Sequence, residues 1–198
     1  MIEYFGAITG LLYTVLEVKQ HRMMWIVGFV TSLAYVFVFF SAKIYADMGL
    51  QIYYVLISIY GFRLWTRPGK NDKPQGSVEN DKAIVYRHIR KPLLAGVVSA
   101  IALACFMIYY FLANFTDSPI PLGDAFTTAV GIVATWMLAR RILEHWYFWI
   151  IANSISIYIY FLRGLYPTMF LYLCYTLLSI AGFYTWIKRG TETDDTTL

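Results

Sequence analysis

A chain of 198 residues that is 59% hydrophobic and only 14% charged, with a mean hydropathy of +0.56, is too apolar for a water-soluble domain, where about 45–50% apolar and about 25% charged residues are usual. A membrane-spanning helix takes about 20 apolar residues, so a bundle that fills this length leaves no room for a separate soluble catalytic domain. The formal charge of +4 sits on residues between apolar segments, which reads as membrane orientation and not as a nucleic-acid surface.

Seven apolar segments follow in chain order: Ile2–Val18, Met24–Ala42, Gly49–Thr66, Leu93–Asn114, Leu122–Arg140, His145–Leu162 and Thr168–Ile187. Backbone groups in lipid must be satisfied within the segment, so all seven are expected as helices and the fold class as an all-α integral membrane bundle. The first segment lacks a basic region before it and is expected to stay as a span. Between the third and fourth, residues 67–91 hold Pro68, Gly69, Pro74 and Gly76 and ten charged residues, the pattern of a solvated loop. The organisation expected is a first three-helix unit over 1–66, the loop over 67–91, a linking helix and its outer loop over 92–121, a second three-helix unit over 122–188, and a tail over 189–198. Thirteen Lys and Arg residues follow odd-numbered helices, against Lys43 and Arg163 on the other side. The positive-inside bias then puts the N-terminus outside and the C-terminus in the cytoplasm. Cys105 and Cys174 lie within apolar segments and read as small buried hydrophobes.

Residues 10–65 laid over 131–186, an offset of 121 without a gap, give 14 identities in 56 positions. Six of them are Gly, Trp or Tyr: Gly10/Gly131, Trp25/Trp146, Tyr45/Tyr166, Tyr54/Tyr175, Gly61/Gly182 and Trp65/Trp186. Two three-helix repeats separated by one helix restore a parallel orientation, a 3+1+3 plan of a kind found in transporters with substrate near the midplane. Four helical stripes converge if the repeats face each other: Trp25, Gly28, Ser32 and Tyr35; Asp47, Gln51, Tyr54 and Ser58; Trp146, Trp149, Asn153 and Ser156; Thr168, Tyr172, Tyr175 and Ser179. Asn153 and Gln51 lie where an amide must find either a neighbouring helix or a ligand. Ser32, Ser58 and Ser179 read as packing residues, Gly6 and Gly10 as a packing groove, and Trp65 and Trp186 as anchors in an interfacial belt.

Other classes lose ground on what is missing. No lysine lies mid-helix to hold a retinal, and no phosphate-binding G-x-x-x-x-G-K-[ST] sequence occurs. Acids sit near segment ends: Asp47, Asp117 and Asp124 at one end, Glu17 and Glu144 at the other. His21, His88 and His145 are expected at the surface of the basic side. A deep acid, base or metal set is not evident, which disfavours an intramembrane enzyme and ion-coupled transport; the repeat disfavours a seven-helix receptor or sensor.

The run Ile44-Tyr45-Ala46-Asp47-Met48-Gly49-Leu50-Gln51, the W-x-x-W pair Trp146 and Trp149 followed by Asn153, and Arg163-Gly164-Leu165-Tyr166 resemble the PnuC family of vitamin transporters over about residues 2–188. The family is similar to SWEET sugar transporters in its 3+1+3 plan. The resemblance implies facilitated uptake of nicotinamide riboside across the bacterial inner membrane and trapping by a cytoplasmic kinase, with no cofactor. Relatives carry thiamine, riboflavin or deoxynucleosides, and the short loops also resemble the thiamine subgroup, so thiamine is the alternative. The substrate-binding residues it implies are Trp146, Trp149, Asn153 and Gln51, with Tyr172 and Thr168; Trp25 joins them from the stripe on the second helix. The partners implied are the vitamin, the bilayer and the kinase, and self-association into a homo-oligomer is left open. A flat ring with fixed positive charge suits tryptophan faces, by stacking and cation–π attraction.

Overall fold

The computed structural model describes residues 2–41, 45–66, 84–117 and 119–193. Seven helices, α1 (Ile2–Val18), α2 (Met23–Ser41), α3 (Tyr45–Thr66), α4 (Lys91–Phe115), α5 (Pro121–Ala139), α6 (His145–Leu162) and α7 (Tyr166–Arg189), make up most of it. Four of them, α2, α4, α5 and α7, are long and apolar enough to cross a bilayer. The boundaries follow local chemistry: α4, α5 and α7 each carry a proline in the first turn, where a missing N–H costs no hydrogen bond. Helix α3 begins at Tyr45, four residues ahead of the expected Gly49, with Asp47 in its first turn.

Residues 67–83, most of the expected solvated loop, lie outside the described residues, as does Ala42. The end of that loop is not solvated. Ile84–Tyr86 forms a strand, β1, paired in parallel with β2 (Gly190–Glu192) in the expected tail, and Ile84 and Tyr86 are buried. The β-branched and aromatic side chains suit a strand, but its partner lies about a hundred residues away, so no local pattern announces it. Gln20 reads β1 as a further strand would: its Nε2 donates to Val85 O at 2.7 Å and its Oε1 accepts from Val85 N at 2.8 Å. Arg87 bonds the α5–α6 turn, donating to Arg141 O at 3.1 Å and accepting from Leu143 N at 2.9 Å. Segment 84–87 therefore ties both interhelical turns and the chain end together at the basic end of the bundle.

Helices α2 and α3 pack together, as do α6 and α7; α1 lies against α2 and α7, and α5 against α6, α3 and α4. Among the described residues α4 packs on no helix but α5. Four buried tryptophans, Trp25, Trp65, Trp146 and Trp186, pack at the basic end. The ring of Trp25 covers Gly61 and the ring of Trp146 covers Gly182, so closely that a Cβ on either glycine would overlap the indole. Trp65 stands at 90° to Trp25 with centroids 5.5 Å apart, and Trp186 stands at 90° to Trp146 at 5.6 Å. Trp65 Nε1 donates to Ala139 O at 2.9 Å, and Trp186 Nε1 donates to Val18 O at 3.2 Å. Every one of these residue pairs is related by 121 positions.

Trp65 and Trp186 are thus not belt anchors. Trp186 is 0% exposed and Trp65 8%, because each indole N–H is used to close the end of a helix in the opposite half of the chain. His145 also differs from its expected surface position, at 0% exposure, and Glu17 beside it is 3% exposed. His145 Nδ1 lies 2.6 Å from Ile142 O and Nε2 lies 3.2 Å from Glu17 Oε1. A carbonyl only accepts, so Nδ1 donates to it, and one further proton lies between Nε2 and the carboxylate. The imidazole is wedged against the rings of Trp146 and Trp186, at 4.5 and 5.0 Å.

Two expectations follow. Gly61→Ala and Gly182→Ala should each lower thermal stability in detergent by about 1–3 kcal/mol through overpacking, whereas Gly96→Ala, with no atom within 4 Å of its Cβ, should not. At the 121-residue offset Glu17 and His145 correspond to Leu138 and Met24, both fully buried. Glu17→Leu or His145→Met alone should cost about 3–5 kcal/mol by stranding a buried charge, and the double variant should regain most of it; a double variant as unstable as the singles would refute this account.

Candidate functional site

The opposite end of the bundle opens into a cavity of about 1580 Å³ between α3, α4, α5, α6 and α7. Its mouth carries Asp47, Asp117, Asp124 and Arg163; its apolar side is the α4 face with Met107, Ile108, Phe111, Leu112 and Phe115; its interior is polar and aromatic. On α6 the stripe Trp149, Asn153, Ser156 and Tyr160, continued by Arg163 at the C-cap, faces it at the three- and four-residue steps that align side chains on one helical face. Helix α5 supplies Thr127, Thr128 and Gly131, α3 supplies Tyr53 and Tyr54, and α7 supplies Tyr172.

Several of these groups are fixed by the protein itself. Tyr53 Oη donates to Ile132 O at 2.6 Å and clamps α3 to α5. Tyr172 stacks on Tyr160, with centroids 5.1 Å apart and planes at 27°. Gly131 leaves room for the Trp149 ring edge and the Tyr54 hydroxyl, which a Cβ there would touch at 3.4–3.7 Å. Among the groups without such a partner are Trp149 and Asn153 on α6. Trp149 Nε1 is buried without a hydrogen bond. Asn153, one turn along α6, is 6% exposed, and its amide bonds to no other described residue. A buried donor left unpaired, as at Trp149, is costly, and both residues line the cavity, where a ligand can reach them.

Of the seven residues singled out from the sequence, Trp149, Asn153 and Tyr172 come together on this wall. Trp25 and Trp146 are buried at the basic end against Gly61 and Gly182; Trp25 also borders a smaller pocket of about 180 Å³ with Ile26, Phe29 and Arg63. Gln51 and Thr168 are partly buried but do not line the large cavity. The i, i+3 spacing of Trp146 and Trp149 gave no sign that the first would turn to the core and the second to the cavity. Sequence reading missed Tyr53, Thr127 and Thr128, whose polar atoms are unremarkable until α3 and α5 are brought face to face.

A sequence profile of the nicotinamide mononucleotide transporter family matches residues 1–188. The chain is similar to the nicotinamide riboside transporter PnuC of Escherichia coli K12, 23% identical over 96% of this chain and 87% of that protein. It is 26% identical to PnuC of Neisseria mucosa, over 92% of this chain and 70% of the relative. It is 24% identical to the riboflavin/roseoflavin transporter RibM of Streptomyces davaonensis, over 93% and 84%. The crystal structure of the vitamin B3 transporter PnuC superposes with a TM-score of 0.66 at 25% identity, covering 92% of this chain and 79% of the other. The chain accordingly belongs to the nicotinamide mononucleotide transporter family, and is a multi-pass membrane transporter and not an enzyme.

Proposed function

We propose that the chain carries a small cationic vitamin, foremost nicotinamide riboside, across the bacterial inner membrane by facilitated diffusion, with a cytoplasmic kinase trapping it. The observation that carries this reading is the pair of unpartnered groups, Trp149 Nε1 and the Asn153 amide, in the wall of a cavity large enough for a nucleoside. In it the Trp149 face attracts the pyridinium ring, worth about 2 kcal/mol when desolvated, and Asn153 hydrogen-bonds a polar edge of the ligand. Tyr172 completes the aromatic surround, and neutral aromatic walls spare the empty site a buried carboxylate.

The 3+1+3 plan is part of the same proposal. It is supported by recurrence of contacts at the 121-residue offset: Tyr175 over Gly10 and Tyr54 over Gly131, and the indole donors Trp65 and Trp186 described above. The basic end is assigned to the cytoplasm, which makes the described state outward-open and closed towards the cytoplasm at the tryptophan cluster. Trp25, Trp146, Gln51 and Thr168 act in this scheme as residues of the closing packing or of a differently closed state. The Glu17–His145 pair lies outside the cavity wall, so transport is independent of the proton gradient.

Binding of nicotinamide riboside, thiamine and riboflavin to purified protein tests the substrate. Nicotinamide riboside should bind most tightly; preference for thiamine would instead support the thiamine reading. Trp149→Ala should weaken binding about ten- to a hundredfold, and Trp149→Phe less, because a ring face remains. Asn153→Leu should weaken binding while the protein stays folded; wild-type affinity in both variants would move the site elsewhere. In vesicles holding kinase and ATP, accumulation should survive a protonophore, and its abolition would indicate ion coupling.

A further inference from the structure

The charges at the mouth of the cavity have no role in the binding just described. Among the described residues of its wall there are three acids, Asp47, Asp117 and Asp124, and one base, Arg163. Arg163 Nη2 lies 3.4 Å from Asp124 Oδ2, so that pair is internally compensated. Asp47 and Asp117 are exposed and form no ion pair with a described residue. Asp47 and Asp124 both line this mouth, and their charges interact. Two exposed carboxylates without an ion-pair partner among the described residues leave net negative charge at one rim, open to something that arrives.

Acids at a rim do not by themselves make a site. The second observation is the deeper wall: Asn153, 6% exposed and without a protein partner, faces the same space, so the rim stands at the entrance to a chamber that awaits a ligand. Low-dielectric walls on either side, the α4 face above all, focus the field of the rim into the chamber instead of letting solvent disperse it.

We propose that Asp47 and Asp117 are steering residues, which hold the cavity mouth at a negative potential and raise the capture rate of a positively charged substrate. This rests on the cationic-substrate reading above. The carboxylates do not touch the bound ring; they act on its approach, over about one Debye length, 8–10 Å at ordinary ionic strength. A potential of about one kT raises the local concentration of a monovalent cation, and lowers that of an anion, by a factor of about 2.7 each.

The test uses a reporter that needs no substrate. Thr128 lines the cavity one turn below Asp124, and Thr128→Cys is placed in a chain carrying Cys105→Ala and Cys174→Ala. Rates of modification by a trimethylammonium-ethyl methanethiosulfonate and by its sulfonato-ethyl counterpart are compared at low salt. Replacing Asp47 and Asp117 by Asn, which keeps size and hydrogen-bonding capacity, should lower the cation-to-anion rate ratio roughly sevenfold, and added salt should shrink the difference. Any change in accessibility affects both reagents and cancels in the ratio. An unchanged ratio overturns the proposal, and so does a change that salt does not reduce. A second arm measures initial uptake of nicotinamide riboside far below saturation. Uptake should fall with rising salt in the unsubstituted chain and respond less in the Asp47→Asn, Asp117→Asn chain; equal salt dependence would overturn steering. Failure of the unsubstituted chain to take up nicotinamide riboside, with the reagent ratio still shifted by the substitutions, would sink the substrate reading alone.

Discussion

The contact on which the bundle turns is an indole laid flat on a glycine. Trp25 on Gly61 and Trp146 on Gly182 bring α2 to α3 and α6 to α7 closer than any side chain at those glycines would permit. In an apolar medium burial of hydrophobic surface supplies no driving force between helices, so close van der Waals approach and interhelical hydrogen bonds must hold the bundle. Both are concentrated here: perpendicular tryptophan pairs fill the space, and the Trp65 and Trp186 donors satisfy carbonyls at the ends of α5 and α1 that have no intrahelical partner.

Closure at one end stands opposite the opening at the other. The basic end is occupied by tryptophans, the β1–β2 pair and the turns tied to Gln20 and Arg87, and the cavity lies towards the end bearing Asp47 and Asp124. It is floored by Trp149 against Gly131 and walled by a helix, α4, that packs only on α5. The cavity lies opposite this packing, and Trp149 Nε1 and the Asn153 amide on its wall have no partner among the described residues. That arrangement suits a transporter, whose site must be unsatisfied when empty and reachable from one side.

Departures between corresponding positions are as informative as the matches. At the 121-residue offset Trp149 answers to Gly28, Asn153 to Ser32, Glu17 to Leu138 and His145 to Met24. The first two place an aromatic ring and an amide on the cavity wall, where the corresponding Gly28 and Ser32 of the first half do not line it. The last two place a buried acid and imidazole where the other half has apolar packing. A buried pair of this kind seldom adds net stability, and its proton lies away from the cavity, at the closed basic end.

How much was legible beforehand can be traced residue by residue. Apolar length and the need to satisfy backbone groups internally determined the helices: His145–Leu162 and Ile2–Val18 coincide with the segments read from sequence, and α2 and α5 differ by one residue at their ends. The W-x-x-W spacing and Asn153 identified the family, and helical periodicity correctly paired Trp149 with Asn153 on one face. Which partner each face meets was beyond sequence. Trp146 and Trp149 share a stripe, yet one covers Gly182 and the other borders the cavity, because that choice depends on where α7 ends and α5 begins. Trp186 looked interfacial beside Lys188 and is buried, because Val18 of a distant helix accepts its N–H. Ile84–Tyr86 looked solvated among charges and is buried, because its strand partner is supplied by the far end of the chain. Local chemistry sets helices and their polar faces; what those faces meet is decided by long-range approach, which only the tertiary structure holds.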